Sequence, residues 1–328
     1  MNKRVYTPLV YQMDANVVQW DASCNVLNPV IDPWHGDPGE TKFEAVARAW
    51  AGAMELAADA QARFNLIKPI MDAGGNNKPR EQFLLQIDAM DPGYLQFFRG
   101  SWDPRVTNEV ERILNNVRNV LTFTQGSPFA LRNTMDPQYA ITVSCNNQDP
   151  VCAINGGIIP SAVTSQQVDT RVASTGAWIN ICDAFFNAPR FDKKKIGAIM
   201  QAQPAGTPGQ TFPDLDYWLA ARQLEKSSPN YNDATGSTDA LIIFHEMTHI
   251  RYVGQTNTEL QNGIYIQGAL ETRGWFACAQ MAQTDSDSVE AYKNADTYAW
   301  YAEYGYFVRR LQSDPWPHVG PLSKPVTR

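Results

Sequence analysis

Cysteine, histidine, basic charge and long apolar runs are all in short supply in this chain of 328 residues, and each shortage excludes something. Five cysteines occur, Cys24, Cys145, Cys152, Cys182 and Cys278, and none stands in a Cys-x-x-Cys pair, which excludes zinc-ribbon chemistry. An odd count leaves at least one thiol unpaired. Cys145 and Cys152 bracket a polar loop and are candidates for a short disulfide, with buried free thiols as the alternative. No run of eighteen apolar residues is present, so no membrane partner is expected. Lys and Arg (27) fall short of Asp and Glu (34); the net charge of −7 and pI near 5.2 argue against nucleic acid as a partner. That balance fits an acidic secreted enzyme or a cytosolic one equally. The segment Met1 to Pro8 has no apolar h-region, so no signal peptide is expected in it. Internal repeats and low-complexity tracts are absent, which excludes solenoids. What remains is a soluble globular protein, 44% hydrophobic, with ample core for one large domain or two lobes.

Helical periodicity runs through Phe43, Val46, Ala47, Trp50, Met54, Ala57 and Ala58. It returns in Val106, Val110, Ile113, Leu114, Val117 and Leu121 after the start signal Asp103-Pro104. Residues 86–102 mix aromatics and glycine without clear period. The β-branched alternation of residues 139–144 and 177–182 predicts strands. Residues 202–236 hold two loop-like stretches around a short helix near Trp218, of the kind that wall a cleft. Two further helical patterns are expected at about 266–283 and 288–311.

The four histidines are few, yet two of them fall in His245-Glu246-Met247-Thr248-His249. Polar N-cap candidates at Ser237, Thr238 and Asp239, then Ala240 to Phe244, predict the opening of a buried helix. On it the imidazoles stand one turn apart on one face, with Cβ atoms roughly 5–6 Å apart. Both can then coordinate one Zn²⁺. Glu246 projects beside such a metal and can take a proton from its water, the H-E-x-x-H arrangement. The alternative, a core helix with two satisfied histidines, leaves an ionisable cluster in an apolar helix at a cost of about several kcal/mol. His35, in a stretch rich in Pro and Asp, reads as a loop histidine.

A catalytic zinc site needs a third protein ligand and one open position. No histidine follows before His318, and His249 lacks the H-x-x-G-x-x-H extension. A carboxylate is therefore expected, Glu259 or Glu271. Glu271 lies in a helical pattern that can pack beside the first helix, as in the gluzincin arrangement.

Three segments carry a family resemblance: Ile181-Cys182-Asp183-Ala184-Phe185-Phe186, the H-E-x-x-H helix, and Asn294-Ala295-Asp296-Thr297-Tyr298-Ala299-Trp300-Tyr301-Ala302. Together with the spacing through Gly274-Trp275, Cys278 and Met281-Ala282, residues 140–310 resemble the aspzincins, the deuterolysin and peptidyl-Lys metalloendopeptidase group. The resemblance implies an α+β fold, mostly helical and zincin-like, with a small sheet lobe and an active-site cleft. A metallopeptidase domain is expected over residues 136–328, with residues 1–135, which lie outside the resemblance, as a helical extension packed upon it. The implied activity is a zinc-dependent endopeptidase acting on peptide or protein substrates, in a secreted setting, with Zn²⁺ on His245, His249 and Glu271 and Glu246 as general base. The chain departs from the family at its G-T-x-D-x-x-Y-G segment. Aligned on Gly274, the Asp position falls on Leu270 and the Tyr position on Arg273. Glu271 is then the substitute ligand, and Arg273 either stabilises the oxyanion or is a surface or salt-bridging arginine. In peptidyl-Lys members the Asp of the N-A-D segment lies in the pocket for the residue after the scissile bond; here that is Asp296, which either binds substrate lysine or braces the zinc ligands. The competing readings are a degenerate zincin that binds zinc as an interaction protein and a protease dedicated to one peptide.

Overall fold

In the computed structural model the described residues are 18–27, 41–73, 80–98, 104–122, 141–153, 162–167, 176–186, 238–261, 264–267, 271–284 and 291–311. They are mostly helical, with one small sheet, an α+β arrangement. The loop stretches of 202–236, His35 and His318 lie outside them.

The sheet has six strands: β1 (Val18–Trp20), β2 (Ile141–Ser144), β3 (Ala162–Gln167), β4 (Ala177–Ile181), β5 (Thr258–Gln261) and β6 (Ile264–Gln267). Their order is β1-β2-β4-β3-β6-β5. The first three in that order run parallel; β3, β6 and β5 add antiparallel neighbours. Strands β2 and β4 match the expected alternation, with Ile141, Val143, Ile179 and Ile181 fully buried. β1, β3, β5 and β6 were not expected. Sequences such as Ala162-Val163-Thr164-Ser165-Gln166-Gln167 are short and polar and carry little β signal.

The helices are α1 (Lys42–Ala73), α2 (Arg80–Met90), α3 (Pro92–Phe98), α4 (Pro104–Thr122), α5 (Asp183–Phe186), α6 (Asp239–His249), α7 (Trp275–Thr284) and α8 (Ala295–Leu311). Helix α1 buries an alanine-rich face, Ala45, Ala49, Ala53, Ala57 and Ala60, beside Trp50 and Phe64. Small residues on that face let α6 pack closely against α1, and α4 and α8 complete the layer. Helix α3 is too short for its period to show in residues 86–102, yet Tyr94, Phe97 and Phe98 are all fully buried against Tyr298, Tyr301 and Tyr304. Strand residues and helical aromatics belong to one hydrophobic core. Among the described residues no helix is long and apolar enough to cross a membrane.

Three expectations need correction. Residues 266–283 are not one helix: β6 ends at Gln267, Glu271 to Gly274 is irregular, and α7 begins at Trp275. The last pattern starts helically at Ala295, after a 3-10 turn at Ala291–Lys293. Cys145 pairs with Cys24, and Cys152 with Cys182, so the short Cys145–Cys152 bridge does not form. Strand pairing explains the exchange. The turn after β1 lies beside the end of β2, and the turn holding Cys152 lies beside the end of β4. Cys278 is the free, buried thiol.

Candidate metal centre

Helix α6 is capped as the sequence predicts: Thr238 Oγ1 accepts the Leu241 N–H at 2.8 Å. Ala240, Leu241, Ile243, Phe244 and Met247 are buried around it, so the helix runs through the core rather than over it. At its end the chain doubles back. Gly254 sits so close that a Cβ there would come within 2.3 Å of the Thr248 carbonyl oxygen, and Thr256 N–H bonds that same oxygen at 3.1 Å. The return brings the Thr256 carbonyl to His249 Nδ1 at 2.7 Å. A carbonyl only accepts, so Nδ1 carries the proton and Nε2 presents its lone pair to the centre.

His245 and His249 meet with their Nε2 atoms 3.0 Å apart. Glu271 reaches the same point, with Oε1 at 3.2 Å from His245 Nε2 and 3.8 Å from His249 Nε2. It arrives from the irregular strap before α7, not from a helix as the periodicity suggested. Glu259 stands on the edge strand β5, and its side chain lies outside the described residues.

Glu246 is buried beside the pair. Its Oε1 lies 4.0 Å from His245 Nε2, while Oε2 is 2.5 Å from Thr164 Oγ1 on β3. Arg273, with a side chain 43% exposed, donates from Nε to Glu271 Oε2 at 3.2 Å, the salt-bridging alternative for this residue. Asp296 holds His245 from behind, Oδ1 to Nδ1 at 2.6 Å. Its Oδ2 accepts from Gly274 N–H at 2.6 Å and from Trp300 Nε1 at 3.4 Å. Both Asp296 oxygens are engaged by protein groups, the arrangement expected of the alternative in which it braces His245. Thr164, Thr256, Asn257 and Thr272 carried no signal in the sequence, because polar residues of loops and short strands reveal partners only through tertiary pairing.

Burial alone pushes the His245 pKa down, but the carboxyl groups of Glu271, Asp296 and Glu246 outweigh it and lift the value to about 10. Burial and the charge on His245 hold His249 below its ordinary value. Burial opposes ionisation of Asp296 as well, yet the His245 imidazolium and the hydrogen bonds from His245 and Gly274 keep its pKa lowered. The centre thus pairs one imidazolium with one neutral imidazole, amid three carboxyl groups.

The donor set fits a metal ion. A tetrahedral shell with bonds of roughly 2.0–2.1 Å sets donor atoms about 3.3–3.4 Å apart, and the observed separations of 3.0, 3.2 and 3.8 Å straddle that edge. His245, His249 and Glu271 are the described residues that converge in this way. A search of protein-family models and of curated proteins finds no match to this chain.

Proposed function

We propose that this chain is a zinc-dependent endopeptidase of zincin type, with His245, His249 and Glu271 as ligands. One observation carries the reading: a two-imidazole, one-carboxylate donor set converges in the core with a further carboxylate, Glu246, held within 4.0 Å of it. A structural site needs no such fourth group, whereas hydrolysis needs a base beside the open position. A zinc ion bound there supplies the acidity of a coordinated water and polarises the scissile carbonyl. Glu246 takes the proton of the attacking water and passes it to the departing amine. Thr164 fixes the Glu246 carboxylate for that task through the 2.5 Å hydrogen bond from Oγ1. Arg273 stands at the exposed rim, and the guanidinium nitrogens that Glu271 does not use meet the developing oxyanion. The mostly helical fold with its small sheet fits a zincin, and two disulfides among the described residues fit a secreted setting.

The test is Glu246→Gln. The amide keeps the shape, so metal content stays at one per chain, while cleavage of a peptide library falls by at least about 10²-fold. Activity within tenfold of the wild type would move the chemistry elsewhere. A protein that binds metal yet cleaves no member of the library is instead the zinc-binding interaction protein.

A further inference from the structure

The three ligands come from two stretches of chain, helix α6 and the strap before α7, and each ligand is tied to one short segment, Lys293 to Asp296. His245 is held by Asp296 Oδ1. The strap that carries Glu271 is clamped on both sides of Arg273. Ahead of it, Asn294 Oδ1 accepts the Thr272 N–H at 3.1 Å and Asn294 Nδ2 donates to the Thr272 carbonyl at 2.9 Å; behind it, Asp296 Oδ2 accepts the Gly274 N–H. His249 is reached through its carbonyl partner, Thr256. The next residue, Asn257, accepts the Ala295 N–H on Oδ1 at 2.7 Å and donates its own N–H to the Lys293 carbonyl at 3.2 Å. Asn257 adopts φ 43°, a left-handed conformation that asparagine tolerates better than most residues.

Neither Asn294 nor Asn257 is a candidate ligand or base. Asn294 is 2% exposed, and its amide also bonds Thr297 Oγ1 and Cys278 Sγ. A primary amide can serve the N–H and the C=O of one residue at once; no carboxylate or methyl group can. Cys278 also meets the strap, its N–H on the Gly274 carbonyl at 3.0 Å and its Sγ on the Thr272 carbonyl at 3.4 Å, while the side-chain clamp ties the strap to the segment that opens α8.

We infer that Asn294 and Asn257 are positioning residues that set the metal affinity of the centre, Asn294 by fixing the Glu271 strap and Asn257 by fixing the carbonyl that orients His249. The inference rests on the metal-centre reading and is independent of whether the centre hydrolyses peptides. Groups that orient ligands without touching a metal are typically worth about 10–100-fold in affinity. A rigid hub shared by three ligands concentrates that effect in few residues.

The experiment compares the full chain with Asn294→Ala, Asn257→Gly and a control, Asn180→Ala. Glycine at 257 keeps the positive φ available and removes only the side-chain bond. Asn180 makes the same double clamp elsewhere: its amide accepts the Asn146 N–H at 3.1 Å and donates to the Asn146 carbonyl at 3.0 Å. Zinc affinity is read by competition with a chromophoric chelator, the ligand set by the visible absorption of the cobalt(II) form, and folding by the Tm of the metal-free protein. The expected result is a 10–100-fold loss of zinc affinity in Asn294→Ala with an altered cobalt spectrum, a loss of about tenfold in Asn257→Gly, and affinity within threefold of wild type in Asn180→Ala. If Asn294→Ala does not fold, Asn257→Gly decides alone. Affinities of all folded variants within threefold of wild type overturn the inference, as does an equal loss in Asn180→Ala. Hydrolysis is not read, so a failed peptidase reading leaves the inference standing, whereas a wild type that takes up neither metal overturns both.

Discussion

The protein buries two ionic clusters, and they are built to opposite ends. In the first, Arg63 is 1% exposed and its guanidinium is fully shared out. Nε meets Asp59 at 2.7 Å, Nη1 meets Asp91 at 2.6 Å, and Nη2 donates to the Tyr301 and Ala302 carbonyls. The Tyr301 ring covers it at 4.6 Å, and Arg309 closes the far side on Asp59. Two arginines face two aspartates. Gly305 is required beside it, because a Cβ there would fall 2.1 Å from Arg63 Cζ. In the second cluster, Glu246, Glu271 and Asp296 surround two imidazoles whose Nε2 atoms point at each other. The Arg63 cluster satisfies itself with protein groups and ties α1, α3 and α8 together. The histidine cluster could hold an added cation between His245, His249 and Glu271. Burial and ion pairing therefore do not separate a structural cluster from a metal centre. The balance of charges and the convergence of lone pairs do.

The sharpest break between the two comes from deleting their cations or ligands. His245→Ala/His249→Ala is expected to abolish stoichiometric zinc uptake, measured by metal analysis after dialysis, while the Arg63 cluster is left intact. Zinc retained at one per chain would end the comparison. Next in size, Arg63→Ala leaves Asp59 and Asp91 buried without their shared partner, which costs about 3–5 kcal/mol in denaturant unfolding of the metal-free chain. Zinc affinity per folded molecule should hold. A loss under about 1 kcal/mol would show that the cluster is not the keystone its geometry suggests.

The smallest effect is graded rather than absolute. Because the folded pKa of His245 is raised from 6.5 to about 10, the stability it lends the metal-free protein is fully present below pH 6.5 and lost as pH rises through about 10. A metal ligand must give up the same proton, so zinc affinity is expected to climb about tenfold per pH unit across that window. In the other cluster burial alone would lower the Arg63 pKa, but Asp91 and Tyr301 outweigh it and raise the value, so its guanidinium stays charged across that window. A flat affinity profile between pH 6.5 and 9 would remove the imidazolium from the account.

Sequence and structure agree where the signal is local. The Thr238 cap, the apolar opening of α6 and the i, i+4 histidines define the helix and two of its converging donors from the sequence alone. The long periods of α1 and α4 and the alternation of β2 and β4 are read in the same way. What escaped was set by distant partners. Ala269, Leu270, Glu271 and Arg273 are good helix formers in a helical pattern, but Asn294 and Asp296 hold Thr272 and Gly274 in an irregular strap from 22 residues away. Asp296 and His245 are a further case, joined only when α8 packs against α6. The disulfide partners depend on strand order, which spacing along the chain does not encode.

The Cys24–Cys145 bridge joins the turn after β1 to the end of β2 across a sequence separation of 121, and α1 to α4 all lie inside the loop it closes. A single cut by a neighbouring protease anywhere in that loop would therefore release no fragment. The two pieces stay linked by sulfur and by the shared core, and they part only on reduction followed by unfolding. Nicked and intact molecules would migrate as one mass until a thiol is added, which makes this loop a place where the protein can be damaged without being dismembered.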